Sequence, residues 1–369
     1  MADKGGNTFV SRQNIQGKSP SQWLQALKSA LEEVKEKSPD SAIEAICVSG
    51  NGPTLVAEDF TSLFYKESFP NIEVNVSSEC KKALKESRSL FIPRLALFKS
   101  LYPESWEKSS HIYSGPEFFI HLLTGESLTI LPQESFAPAY WSREELKKCG
   151  FTENDIKKLP PFKAPSSFAG KISEEAALAT GLFEGTFVFC GAPDFIVALI
   201  GTGTVFPGRL CDRAGSSEGL NLCTSQPVFA PNLRTLPSVI PGLWNLSYLI
   251  NMENTNSGDK NDLIGKNDLI SNNDLIHSDS YFSELKKGIS LLKSAALSAG
   301  EDFPDFMASC GGQTLNKELV AAKEKACGIK IKVPYCADAE LIGDLILARV
   351  GLGDADDILE GVFSYIPQF

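Results

Sequence analysis

Trp23, Leu24, Leu27, Leu31 and Val34 recur at helical spacing, so the chain opens its regular structure with an amphipathic helix whose apolar stripe suits a sheet. Ser19, Pro20 and Gln22 just before it read as a helix start: a capping hydroxyl, a proline suited to the first turn, and a capping-box glutamine. Residues 43–48 (IEAICV) form an apolar run that predicts a buried strand, closed by the small-residue turn Ser49-Gly50-Asn51-Gly52-Pro53. Such a turn lies at the carboxyl end of its sheet, where ligands of open α/β sheets bind. Apolar helices are expected at 91–102 and 115–123, the second stopped by Gly125, and a short polar-faced helix at 142–149. Leu159-Pro160-Pro161 interrupts the chain before a helix at 177–182 and a strand at 186–190. Beyond a polar tract, an amphipathic helix at 283–297 is followed by a strand at 306–309, a Gly-Gly turn, a helix at 317–326, a strand at 329–333 and a helix at 339–350. Gly343 and Ala348 leave that last helix room for close packing.

With 369 residues and 43% hydrophobic content, the chain is globular and long enough for two domains, each with its own core. The net charge of −11 disfavours nucleic acid and anionic membrane as general partners. No apolar run approaches the roughly 20 residues of a membrane span, and the polar N-terminus has no signal-peptide core. Nine scattered cysteines without a C-x-x-C, beside only three histidines, argue against a zinc site or a disulfide framework and fit a reducing cytoplasm. Cys47 and Cys190 lie in apolar context and read as small buried hydrophobes.

The stretch 191–219, GAPDFIVALIGTGTVFPGRLCDRAGSSEG, carries the most chemistry. Asp194 stands alone between a strand and an apolar run, and two glycine-rich turns follow, Gly201-Thr202-Gly203 and Gly215-Ser216-Ser217. Glycines let backbone N–H groups approach a phosphate, hydroxyls add hydrogen bonds, and a lone carboxylate accepts a proton from an attacking alcohol. Gly-Thr-Gly turns also join strands in many α/β proteins, so this pattern by itself leaves both readings open. Gly311-Gly312, followed by Asn316 and a helix, gives bare backbone that can approach a purine or its phosphates. Trp106 and His121 sit at helical spacing among apolar residues and are expected in the core. A six-residue unit, KNDLIG, KNDLIS, NNDLIH, repeats over 260–277; it lacks the glycine and terminal glutamate of a calcium loop. The polar tract 251–276 is expected to be a mobile linker.

In this order, Asp194, Gly201–Gly203, Gly215-Ser216-Ser217-Glu218-Gly219 and Gly311-Gly312 resemble the FGGY carbohydrate kinases, xylulokinase-like members above all. The resemblance implies an α/β fold of two actin-like ATPase (RNase H-like) domains with a cleft between them. It divides the chain near Gly203 into a sugar-side domain, 1–203, and a nucleotide-side domain, 204–369, with a low-complexity insert at 251–277. It implies ATP-dependent phosphorylation of a sugar or polyol, with ATP and magnesium. Asp194 matches the family's catalytic base; Gly215, Ser216 and Ser217 match its phosphate turn, and Gly311 and Gly312 its adenosine-side pair, with Asn316 beside them. Ser49, Gly50 and Asn51 match loosely a sugar-contacting Ser-Gly-Gln-x-His-Gly, although Pro53 and Thr54 follow where the histidine stands, and Ser49–Pro53 reads equally as no more than a tight turn.

Two departures matter. The family's opening Asp-x-Gly-Thr, which touches phosphate and magnesium, is missing, so the first domain is expected to lack its opening strands and to expose an edge that predicts poor solubility or pairing with another chain, such as a homodimer. The long segment with Pro-x-x-x-Gly-Glu-Arg after Leu222 is replaced by the polar tract. Poor sugar phosphorylation is therefore expected of a kinase reading. A non-catalytic homologue that binds sugar or nucleotide, or a broken gene's product, stands as the alternative.

Overall fold

The computed structural model describes residues 8–15, 19–39, 41–51, 53–65, 77–215, 218–250, 275–334 and 336–366. The chain divides into two compact units. One takes Met1–Asp194 and Leu347–Asp356; the other takes Phe195–Ile346 and Asp357–Phe369. The expected division near Gly203 and the change of unit after Asp194 lie at opposite ends of the helix Asp194–Gly201 and its closing turn.

The first unit is built on strands β1 (Ala45–Gly50), β2 (Leu55–Ala57), β3 (Ser62–Leu63), β4 (Ile112–Ser114), β5 (Thr129–Ile130), β6 (Phe162–Lys163), β7 (Phe168–Lys171) and β8 (Phe187–Pro193). Its principal sheet has the order β1-β8-β7, with β1 and β8 parallel and β7 antiparallel. Helix Trp23–Lys37 lays the predicted stripe on this sheet: Leu24, Leu27 and Leu31 join Val48, Ile120, Leu123, Val188 and Cys190 in one cluster. Its start differs from the expected capping box. Ser19 makes no side-chain cap; its hydroxyl pairs with Ser21 Oγ at 2.7 Å, and the chain enters the helix through a 3-10 turn at Pro20–Gln22. Local hydroxyl bonding has displaced the capping geometry. Helix Gly115–Thr124 ends as predicted, on Gly125 at φ 76°, where a side chain would be strained.

The second unit holds β9 (Leu210–Arg213), β10 (Gly219–Thr224), β11 (Arg234–Pro237), β12 (Trp244–Leu249), β13 (Phe306–Cys310) and β14 (Lys330–Lys332) in one sheet of order β11-β12-β10-β9-β13-β14. Antiparallel pairing holds from β11 through β9, and β13 runs parallel to both β9 and β14. That half-antiparallel, half-parallel order is the RNase H-like arrangement that the family resemblance implies. Helices Asp279–Ser298 and Lys317–Cys327 supply Leu285, Leu292, Ala296 and Leu319 to the core against Leu220, Leu246 and Met307.

Two expectations need correction. Gly201-Thr202-Gly203 is no open turn. It is a buried helix end in which Thr202 Oγ1 donates to the Ala198 carbonyl at 2.9 Å. Its glycine serves packing: a Cβ on Gly201 would stand 1.8 Å from the Ala339 carbonyl oxygen, and one on Gly343 would stand 2.1 Å from that of Val197. The helices Asp194–Gly201 and Ala339–Leu352 thus cross backbone to backbone. The repetitive tract, residues 251–274 of which lie outside the described residues, has joined the core by its last Leu-Ile pair: Leu275 is buried, with Ile276 packed beside it.

Candidate functional site

Asp194 follows β8 directly and opens the helix Asp194–Gly201, a position where the helix dipole favours a negative charge. The parallel register of β1 on β8 sets Gly50 opposite Pro193, so the residues after each, Asn51 and Asp194, meet at the carboxyl ends of the two strands. Asn51 Nδ2 donates to Asp194 Oδ2 at 3.2 Å. Asn51 Oδ1 is buried and has no hydrogen-bond partner among the described residues. Burying an acceptor unpaired is costly, and a ligand hydroxyl would relieve it.

Beside this pair lies a cavity of about 450 Å³, lined by Ser49, Gly50 and Asn51 together with Trp23, Tyr65 and Phe119. One helical face, Trp23, Ala26, Leu27 and Ala30, forms a wall. Arg94 ties down the segment that supplies Phe64 and Tyr65 to the lining, since its guanidinium donates to the carbonyls of Pro53, Leu63 and Phe64. The three sequence-predicted substrate residues are therefore together, on one cavity, with the predicted base bonded to one of them.

In the second unit the structure brings the two remaining turns together. Gly215 follows β9 and is exposed; Ser216 and Ser217 lie outside the described residues. Gly311 follows β13 at φ 95°, and a Cβ there would stand 2.6 Å from the Ala214 carbonyl oxygen. Ala214 N donates to the Cys310 carbonyl at 2.7 Å and Gln313 N to the Ala214 carbonyl at 3.2 Å, so the two turns are laced through their backbones. Gly312 is exposed, and a Cβ there would meet nothing within 4 Å. Asn316 caps helix Lys317–Cys327, its Oδ1 accepting from the amides of Glu318 and Leu319.

A buried polar network that the sequence did not reveal joins these turns. Lys323 Nζ donates to Asp212 Oδ2 at 2.7 Å and to Glu218 Oε1 at 2.8 Å. Gln313 Nε2 donates to Glu218 Oε2 at 3.0 Å, the Tyr281 hydroxyl donates to the same carboxylate, and Ser309 Oγ donates to Asp212 Oδ2 at 3.1 Å. The available signal was weak: an acid on each side of the Gly-Ser-Ser turn, and a lysine four residues after the buried Leu319.

Trp106 is a core residue, fully buried, its indole N–H donating to Asp155 at 2.8 Å. His121 is half-buried, stacked on Tyr113 with ring centroids 4.9 Å apart. None of the nine cysteines forms a disulfide. Cys190 is buried, and burial pushes its thiol up to about 12, which leaves no thiolate nucleophile near neutrality; Cys47 is half-buried. Among the described residues no group of three His, Cys, Asp or Glu side chains could hold a metal ion. No helix among them is long and apolar enough to cross a membrane.

Comparison with known proteins defines the class: this is the two-domain, actin-like α/β fold of the carbohydrate kinases. A xylulose kinase from Lactobacillus acidophilus superposes with a TM-score of 0.69 over 99% of this chain and 89% of its own, at 16% identity. A Plasmodium falciparum glycerol kinase solved with ADP gives 0.64 over 96% and 86%, at 14% identity. The resemblance to the FGGY carbohydrate kinases extends to sequence: the autoinducer-2 kinase of Yersinia enterocolitica is 27% identical over 161 residues, 41% of this chain. That match spans 30% of the relative's length. No family model matches the chain.

Proposed function

We propose that the chain transfers the γ-phosphoryl group of ATP to a hydroxyl of a sugar or polyol. The observation that carries this reading is the Asn51–Asp194 pair at the carboxyl ends of β1 and β8, beside a cavity, in a carbohydrate-kinase fold. Asp194 accepts the proton of the acceptor hydroxyl while that oxygen bonds to the γ-phosphorus and the bond to the ADP oxygen breaks. Asn51 holds the Asp194 carboxylate by its N–H and offers Oδ1 to a substrate hydroxyl. Ser49 and Gly50 line the acceptor side, which supports reading residues 1–203 as the sugar-side domain and 204–369 as the nucleotide-side domain.

Gly215, Ser216 and Ser217 hold phosphates, and the bare backbone of Gly311 and Gly312 adjoins the nucleotide, with Asn316 fixing the helix that follows. Magnesium would accompany the ATP phosphates and offset their charge. A cytoplasmic location, a homodimer, and work without nucleic acid or membrane belong to the same proposal. An ATP-consumption screen over ketoses, aldonic acids and polyols tests it. Acceptor-dependent ADP release supports the reading; ADP binding without any acceptor dependence assigns the chain to the non-catalytic homologues.

A further inference from the structure

The turns assigned to the nucleotide are tied to one buried ammonium. Lys323 reaches Asp212 at the end of β9 and Glu218 at the start of β10, so the loop carrying Gly215 is held at both shoulders by a single side chain. Through Glu218 the tie continues to Gln313, the residue after Gly312. All three charged side chains are nearly fully buried, at 2% exposure or less. Asp212 Oδ1 has no hydrogen-bond partner among the described residues. Burial, with Asp212 beside it, pushes the Glu218 carboxyl above its usual value against the pull of Lys323. Burial opposes the Lys323 charge, yet Asp212 and Glu218 prevail and hold the ammonium above its usual value.

Two carboxylates on one ammonium make a poor stabilising device. Removing such charges from water costs more than well-packed apolar residues would, and what a buried ionic network supplies instead is a fixed geometry. Here that geometry spans residues far apart in sequence that share one neighbourhood, the two glycine turns. We propose that Lys323 is the positioning residue of the nucleotide turns: through Asp212, Glu218 and Gln313 it sets the pose of the backbone at Gly215 and at Gly311–Gly312 as one unit, without touching the ligand itself. The proposal rests on the kinase reading above.

The test is ADP binding by calorimetry on the full chain, together with amide exchange at Gly215 and Gly311 and thermal melting. Wild type is compared with Lys323→Met, with Glu218→Gln, and with the neutral triple variant Asp212→Asn, Glu218→Gln, Lys323→Met. Lys323→Met is expected to weaken ADP about tenfold or more and to speed exchange at both glycines together. The triple variant, free of unpaired buried charge, is expected to regain the melting temperature without regaining affinity. A folded Lys323→Met with wild-type affinity overturns the proposal, as does a triple variant that regains affinity along with stability. Should Lys323→Met fail to fold, Glu218→Gln and the triple variant decide by the same measure, unchanged affinity overturning it. A wild-type chain that binds no ADP overturns the kinase reading itself, and the nucleotide role of Lys323 with it.

Discussion

Asn51 donates a hydrogen bond to Asp194 across 3.2 Å, from a residue 143 positions earlier in the chain. The parallel register of β1 and β8 places both side chains at the same sheet end, and the cavity adjoins Asn51. If Asn51 orients the carboxylate, its loss should be felt by the acceptor and not by the nucleotide. Asn51→Ala is expected to lower kcat/KM for the acceptor about tenfold, the worth of one hydrogen bond to a charged group. Steady-state kinetics with each substrate varied in turn checks this; a matching rise in KM for ATP would argue for a general loss of structure.

Gly311 and Gly312 are neighbours with opposite reasons to be glycine. Gly311 is held at φ 95° against the Ala214 carbonyl, so Gly311→Val is expected to destabilise the chain by about 2 kcal/mol or more. A side chain on Gly312 meets only open space, so Gly312→Val is expected to fold normally and to weaken ADP binding. Thermal melts and calorimetry on both variants separate strain from ligand approach. Wild-type ADP affinity in folded Gly312→Val would move the nucleotide elsewhere.

Glu117 gives the first unit a pH dependence. It is fully buried; its Oε2 accepts from Ser114 Oγ and its Oε1 from Ile130 N at 2.9 Å. Burial raises its pKa from 4.5 to about 7, against the help of backbone N–H groups. Between these values the unfolded chain has released the proton and the folded chain keeps it, so stability falls as pH rises through that window and is level above it. The full effect is on the order of 3 kcal/mol. Denaturant unfolding of wild type and Glu117→Gln from pH 5 to pH 8 is expected to show wild type losing stability relative to the variant. Parallel curves would mean that Glu117 is ionised in the folded chain throughout.

The Gly201–Gly343 crossing predicts an intolerant position in the second unit. Gly343→Leu forces a side chain into the Val197 carbonyl and is expected to cost about 3 kcal/mol or more, measured as a fall in unfolding free energy. Leucine at exposed Gly300 meets no backbone but carries the strain of a positive φ that Gly343 lacks, so a larger loss at Gly343 reports helix packing.

Most helices and strands were legible because their apolar periodicity is continuous: Trp23 to Val34 is one stripe, and the sequence 306–350 alternates strand, turn, helix, strand and helix as expected. Asp194 stands out in the sequence as a lone acid between an apolar strand and an apolar run, and its assignment as base comes from the family resemblance. What stayed hidden depends on tertiary neighbours. Lys323 reads as a solvated helix charge until Asp212, 111 positions earlier, is placed beside it. The Gly201–Gly203 turn looked like a phosphate loop because glycines needed for helix contact and glycines needed for ligand approach are identical in sequence. The handover of Leu347–Asp356 to the first unit, within a helix that begins in the second, has no local signature at all.

The central claim, proton abstraction by Asp194 in a sugar or polyol kinase, is met most directly by the rate of ADP formation by the purified chain with and without acceptor, for wild type and Asp194→Asn. Asparagine keeps the shape and removes the proton acceptor. Wild type is expected to form ADP in an acceptor-dependent way with at least one ketose, aldonic acid or polyol, and Asp194→Asn to lose roughly 10²–10⁴ of that rate with ADP affinity unchanged. Equal turnover in the two proteins, or no acceptor dependence across the panel, would contradict it.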